Sequence, residues 1–296
     1  MDNHDGPVVV GYNGSPDADW ALDWAAAEAV HRHCDLLLVF SIDLSGAYPP
    51  EVMIGRYDNF PQTMGDAIVQ AGVDRARKAA PNVSVTGKTT VVGAAAALIG
   101  ASVKASLVVV GGRGRSRFAE ALLGTVQFAV TAHAHCPVVV VPPGCTVIPD
   151  LAHPVVVGVD GSGGSDRAAL VAAETAAQRG VSLKVVGAWE KPPAYEWSRF
   201  YVLDDELQQE MTAAARANAA QHVAKTVDRI KAEYASVDVH DVVTEGPASH
   251  VLTQESGQAG LVVVGARGGG DLAVLMLGSV GRNLIHSTKC PVKIVH

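Results

Sequence analysis

Along the chain, short unbroken apolar runs alternate with longer stretches whose apolar residues return at helical spacing. Val8-Val9-Val10 ends in Gly11, and Leu107-Val108-Val109-Val110 ends in Gly111. A continuous Val-rich run of this kind predicts a parallel strand buried on both faces. The Ala-rich segments 15–32 and 165–179 carry Ser, Asp and Pro at their starts and predict helices. Second strands are predicted over 36–42 and 183–189, and long helices over 63–80 and 204–234. Third strands at 83–91 and 237–244 precede short helices at 94–103 and 248–256. A Leu-Val-Val-Val strand, a last helix (125–133; 279–287) and a fifth strand (137–141; 291–295) complete each pass. Strands alternating with helices imply an α/β fold with a doubly wound parallel sheet, covered on both faces.

The pattern occurs twice. Val8-Val9-Val10-Gly11-Tyr12-Asn13-Gly14-Ser15 returns as Val155-Val156-Val157-Gly158-Val159-Asp160-Gly161-Ser162. Leu107–Gly114 returns as Leu261–Gly268, Leu123–Val126 as Leu277–Val280, and His135-Cys136-Pro137-Val138 as Lys289-Cys290-Pro291-Val292. The offset is 147 residues at the first block and 154 at the other three, so the second copy carries seven additional residues in its middle. Four matched blocks in one order mark a tandem duplication. The expected organisation is a first domain over 1–145, a linker over 146–154 and a second domain over 155–296. The surrounding segment 142–154, with four prolines and a glycine, suits a linker.

Composition narrows the function classes. A chain of 296 residues with 48% hydrophobic and 18% charged residues can bury a core in each half, which excludes disorder. The net charge of −7 argues against nucleic acid or an anionic membrane as main partner. It divides evenly, with 10 basic and 14 acidic residues up to position 150 and 13 and 16 beyond it. No apolar run approaches the roughly 20 residues that span a bilayer. The opening Met1-Asp2-Asn3-His4-Asp5 is acidic, unlike a signal peptide. Cys34, Cys136, Cys145 and Cys290 show no metal-finger spacing and read as reduced, buried thiols of a cytoplasmic protein.

In open α/β sheets, ligands bind beyond the carboxyl ends of the strands where the strand order reverses. Two loops per copy belong there. The first is Gly11–Ser15 or Gly158–Ser162. The second is a Gly-x-x-Gly-(nine residues)-Gly-Ser/Thr spacing: Gly111, Gly114, Gly124 and Thr125, then Gly265, Gly268, Gly278 and Ser279. Glycines after a strand let backbone N–H groups turn towards an anion, and Gly124-Thr125 or Gly278-Ser279 begins a helix whose free N–H groups favour phosphate. Turn-making and tight helix–strand packing is the competing explanation, weakened because both copies keep the nine-residue interval. No P-loop and no dinucleotide G-x-G-x-x-G is present.

The Val-Val-Gly-x-Asp-Gly-Ser opening, the glycine signature and the Cys-Pro-Val closing strand resemble the universal stress protein family over nearly the whole chain. The resemblance implies two tandem five-stranded parallel sheets of the adenine nucleotide alpha hydrolase-like kind, and ATP, with Mg²⁺, at each switch point. It implies that the glycine backbone and the Thr125 or Ser279 hydroxyl hold phosphate and ribose. Asp160 would lie at the nucleotide, and backbone groups near Ser41 and Ala188 would read adenine. Copy two matches throughout at Asp160, Gly265, Gly268, Gly278 and Ser279. Copy one departs, with Asn13 in place of the acidic residue. Asn loses the charge a hard cation prefers, so the first site is expected to bind nucleotide more weakly or with less metal dependence.

Several other residues read as structural. Arg113 and Arg267 either reach phosphate or are solvated loop residues. The His31/His33 and His133/His135 pairs lack a third metal ligand nearby, and Ser15 and Ser162 read as helix caps. The four tryptophans do not repeat between copies, so no stacking platform for nucleic acid is expected. The functional expectation is an ATP-binding, nucleotide-dependent regulator in a stress or dormancy response, with an unidentified protein partner. The alternatives are a slow ATPase or a nucleotide-independent scaffold. No dedicated enzyme is expected, and at most slow ATP hydrolysis. The resemblance further implies an intramolecular pseudo-dimer through the apolar fifth-strand edges, and leaves a homodimer open. The stretches 45–62 and 191–203 differ most between copies and are candidates for gating or partner choice.

Overall fold

The computed structural model describes residues 6–42, 60–112, 125–146, 150, 152–191, 205–268 and 277–296, with backbone alone at 60–62 and 125. The chain divides into two compact units, Met1–Thr146 with His296, and Val147–Val295. The first contains β1 (Val8–Gly11), α1 (Pro16–Arg32), β2 (Leu36–Ser41), α2 (Phe60–Ala79) and β3 (Val85–Thr90). These are followed by α3 (Ala94–Ser102), β4 (Leu107–Gly111), α4 (Thr125–His133) and β5 (Val138–Val141). The second contains β6 (Val155–Val159), α5 (Gly163–Arg179), β7 (Leu183–Trp189), α6 (Asp205–Glu233) and β8 (Val239–Glu245). Here α7 (Ala248–Glu255), β9 (Leu261–Gly265), α8 (Ser279–Ser287) and β10 (Val292–Val295) follow.

Within each unit every strand pair is parallel. The first sheet has the order β3-β2-β1-β4-β5, with Val8 opposite Leu36 on one side and Leu107 on the other. The second repeats it as β8-β7-β6-β9-β10, with Val155 opposite Leu183 and Leu261. The order reverses between β1 and β4, and between β6 and β9, which opens the switch-point crevice at the strand ends. Helices cover both faces, so the central strands have no wet side. Val8, Val10, Leu107, Val109, Val155, Val157, Leu261 and Val263 are fully buried. This is why those runs are continuous and not alternating. The few aromatics are offset by close Ala packing: Ala21, Ala25 and Ala29 of α1 and Ala168, Ala172, Ala173 and Ala176 of α5 have no exposed surface.

Two helices begin earlier than their sequence predicts. α5 starts at Gly163, not Ser165, because the Ser162 hydroxyl accepts the Ser165 N–H at 3.2 Å and carries both glycines into the first turn. α2 starts at Phe60, not Thr63, because Pro61 suits the first turn, where no N–H is needed. Positions 60–62, expected to be irregular, are therefore helical. The other segments assigned to gating, 45–59 and 192–203, lie outside the described residues. α6 is the longer of the two matched helices: its C-terminal end matches that of α2, yet it has 29 residues against 20. At 1.5 Å per residue the nine extra helical residues extend it by about 13 Å.

Cys136, Cys145 and Cys290 are buried thiols, whereas Cys34 is only half-buried. Among the described residues no helix is long and apolar enough to cross a membrane.

Candidate functional site

The second unit's crevice is built from two loops. In the first, after β6, the Asp160 Oδ1 accepts the Ser162 N–H at 3.0 Å, closing an Asx turn. Gly161 at its apex has φ +80°, a left-handed conformation that a residue with a Cβ reaches only at a cost. The second loop, after β9, runs from Ala266 to Gly268 and rejoins the fold at Gly278, whose N–H donates to the Ala266 carbonyl at 2.9 Å.

The two loops meet. A Cβ built on Gly268 would lie 2.6 Å from Asp160 Oδ2, and one on Gly278 would lie 3.9 Å from the Gly268 nitrogen. Asp160, Gly268 and the start of α8 therefore share one place. Gly278 occupies the N-cap of α8 and provides no side-chain cap, and Ser279, exposed, is the first helical residue. The opening N–H groups of this helix carry the positive end of its dipole, a setting that favours an anion.

Not every signature glycine faces this place. Gly158 packs under Leu252 of α7, and its counterpart Gly11 packs under Leu98 of α3. A Cβ on Gly265 would lie 2.8 Å from the Gly164 carbonyl carbon, and one on Gly111 would lie 2.8 Å from the Asp17 carbonyl oxygen. Gly111 and Gly265 are glycine because helix and strand backbones touch there, and Gly11 and Gly158 because a leucine side chain fills the space, the packing reading that the sequence left open. Gly268 and Gly278 are the two that border the Asp160 carboxylate.

In the first unit Asn13 makes the same turn as Asp160, its Oδ1 accepting the Ser15 N–H at 3.0 Å around Gly14. Ser15 and Ser162 both cap the following helices, as their sequence positions predict. Gly114, Gly124 and Arg113 lie outside the described residues, and Thr125 is the first residue of α4. Ser41, at the end of β2, donates its hydroxyl to the Val92 carbonyl at 2.7 Å; Ala188 of β7 lies opposite Thr244. Arg267 is exposed, and its carbonyl abuts Gly164.

Sequence patterns alone missed three groups at these strand ends. Gln127, buried in α4, donates its Nε2 to the Gly111 carbonyl. Tyr12 donates to Asp19 at 2.9 Å, and Arg75 pairs with Asp23 at 2.7 Å and with Asp19 at 3.4 Å. Burial first, then the hydrogen bond to Asp19, pushes the Tyr12 phenol up to about 12. His222 of α6 sits on Gly161. All three differ between copies, where Gly281, Val159 and Ile68 stand at the matched positions, so a search for repeated residues passes over them. A surface depression lined by Asp23, Asp74, Arg75 and Lys78 lies along α1 and α2.

Comparison with known proteins agrees with the duplication. The profile of the Universal stress protein family matches residues 6–142 and, separately, 152–296. The chain belongs to the universal stress protein family. It is a tandem member. It is 34% identical over 291 residues to universal stress protein Rv2005c of Mycobacterium tuberculosis (strain ATCC 25618 / H37Rv), covering 96% of this chain and 95% of that protein. To universal stress protein Rv2623 of the same strain it is 33% identical over 292 residues, covering 96% and 94%. Among solved structures, a universal stress protein from Archaeoglobus fulgidus DSM 4304 superposes with a TM-score of 0.69 at 18% identity, covering 100% of this chain and 98% of that one. At that identity the likeness speaks for the universal stress protein fold alone.

Proposed function

We propose that this universal stress protein binds ATP at its strand-end crevices and acts in the cytoplasm as a nucleotide-dependent regulator in stress or dormancy, without a dedicated reaction of its own. The observation that carries this reading is the meeting of Asp160, Gly268 and the uncapped start of α8. Backbone N–H groups and a helix dipole suit phosphate without basic side chains, which accords with the acidic balance of the chain. The residues that would hold the nucleotide are Gly268, Gly278 and Ser279 at the phosphates and Asp160 beside them, with backbone near Ala188 for the base. In the first unit Gly114, Gly124 and Thr125 would do the same, with Asn13 and backbone near Ser41.

Among the described residues no three His, Cys, Asp or Glu side chains cluster to hold a metal ion. Mg²⁺ would therefore be shared between the Asp160 carboxylate and the nucleotide's own phosphates, the arrangement this hard cation commonly takes. The reading extends to association of the chain with itself, including the intramolecular pseudo-dimer, and to a protein partner that recognises the loaded state.

Native mass spectrometry of freshly purified protein tests the proposal. Co-purified ATP, or ATP taken up with Mg²⁺, supports it. ADP that accumulates with time points instead to slow hydrolysis. A chain that takes up no nucleotide with or without Mg²⁺ overturns it in favour of a nucleotide-independent scaffold.

A further inference from the structure

The two units build the same turn and set different side chains against it. In the first, a Cβ built on Gly14 would lie 3.3 Å from Ile68 Cγ2 of α2. In the second, a Cβ built on Gly161 would lie 2.2 Å from Nδ1 and 2.3 Å from Cε1 of His222. The imidazole thus rests directly on the α-carbon of the turn. Gly161 adjoins Asp160, whose carboxylate reaches Gly268. The next residue of α6, Val223, is 1% exposed and pins the helix: a Cβ on Gly187 of β7 would lie 2.5 Å from its Cγ2. His222 is therefore held at its place by the packing of α6 and by its seat on Gly161, with no polar contact among the described residues.

Among the described residues the half-buried His222 ring makes no hydrogen bond or ion pair, whereas His153, His240 and His250 each have a side-chain partner. An imidazole always carries two nitrogens able to donate or accept. One that is half-buried beside the turn that carries Asp160, fixed by its helix and without a polar partner among the described residues, is set up for a polar group that arrives with a ligand. Packing alone does not require histidine at this seat, because Ile68 fills its counterpart.

We propose that His222 is a ligand contact of the second site, giving a bound adenine nucleotide a hydrogen bond that the first site, with Ile68, lacks. The inference rests on the nucleotide reading above and makes the two sites unequal at a second position besides Asn13 and Asp160.

The test uses the full chain, MgATP, isothermal calorimetry and NMR of ¹⁵N-labelled histidine rings. His222→Ile keeps the packing that the first unit already uses, and is expected to weaken one of the two sites about fivefold without lowering the unfolding midpoint. His222→Gln, which retains hydrogen-bonding capacity, is expected to keep most of the affinity. In the wild type, MgATP should shift the His222 ring signals. Unchanged affinities at both sites in His222→Ile, together with unmoved ring signals in the wild type, overturn the assignment while leaving nucleotide binding intact. A wild-type chain that binds no MgATP overturns the nucleotide reading itself, and this assignment with it.

Discussion

The two units share a sheet order, a turn and a helix cap, yet differ at nearly every polar decision around the strand ends. The first unit has Asn13, Tyr12, Asp17 and Ile68 where the second has Asp160, Val159, Gly164 and His222. The first concentrates its charge between α1 and α2, in the network of Tyr12, Asp19, Asp23 and Arg75. The second places a carboxylate and an imidazole at the crevice itself, and an ion pair, Lys184 with Glu255 at 2.5 Å, between β7 and α7. The lesson is that duplication holds the backbone constant because hydrophobic burial fixes it. Side chains at the rim are free to diverge, since they cost the fold little.

The comparison can be broken most forcefully at Gly164. A Cβ there would come within 2.5 Å of the Arg267 carbonyl oxygen, a backbone atom with nowhere to go. Gly164→Asp, which installs the residue the first unit carries at position 17, is expected to destabilise the chain by about 3 kcal/mol. The reciprocal Asp17→Gly should cost only about 1 kcal/mol, for a glycine in the first turn of α1. Urea unfolding of both variants measures the asymmetry, and equal losses would show that the two units pack alike at this point.

A smaller effect is expected at the ion pair, whose counterparts in the first unit are Leu37 and Ala101. Lys184→Leu alone strands a largely covered Glu255 and should cost about 2 kcal/mol, whereas Lys184→Leu with Glu255→Ala should fall within about 1 kcal/mol of the wild type. The difference between the single and double variants, read from denaturation midpoints, isolates the pair from the packing.

Exchanging the turn residues sharpens the comparison at the sites. Asp160→Asn is expected to weaken Mg²⁺-dependent nucleotide binding at the second site about tenfold, and Asn13→Asp to strengthen it at the first. Calorimetry with and without Mg²⁺ decides, and unchanged affinities in both variants would remove the charge difference as the source of inequality.

The smallest effect concerns pH. The Tyr12 phenol, held up to about 12 by burial and by its bond to Asp19, stays protonated in the folded chain while the unfolded chain ionises near the ordinary value of 10. The folded state then binds more protons in that window, so this contribution is complete below pH 10 and is lost as pH rises towards 12. Tyr12→Phe should lose less stability than the wild type between those two pH values. Parallel curves for the two proteins would mean that the phenol is not what titrates.

Much of the crevice was legible in the residues alone. The Gly-x-x-Gly-(nine)-Gly-Ser spacing located Gly268, Gly278 and Ser279, and the capping roles of Ser15 and Ser162 followed from their places before Ala-rich runs. Less legible was the division of labour among the glycines. Gly11, Gly111, Gly158 and Gly265 belong to the same motifs as Gly268, but their α-carbons face a leucine or a neighbouring backbone. A sequence shows that a Cβ is missing, and not which atom fills the space it would take. His222 was invisible for a related reason. It lies far along the chain from the turn it touches, and it stands where the other copy has isoleucine.

The sequence by itself determined the alternation of strand and helix, the duplication and the strand-end location of the signature loops. These follow from local periodicity and from blocks repeated in order. Only the tertiary structure decided that the Asp160 carboxylate comes to Gly268 and that α6 sets an imidazole on Gly161. It likewise decided that α6 runs to 29 residues where α2 has 20. Those outcomes depend on through-space contacts between segments far apart in the chain, which are set by how helices seat on a sheet and leave no local mark in the sequence.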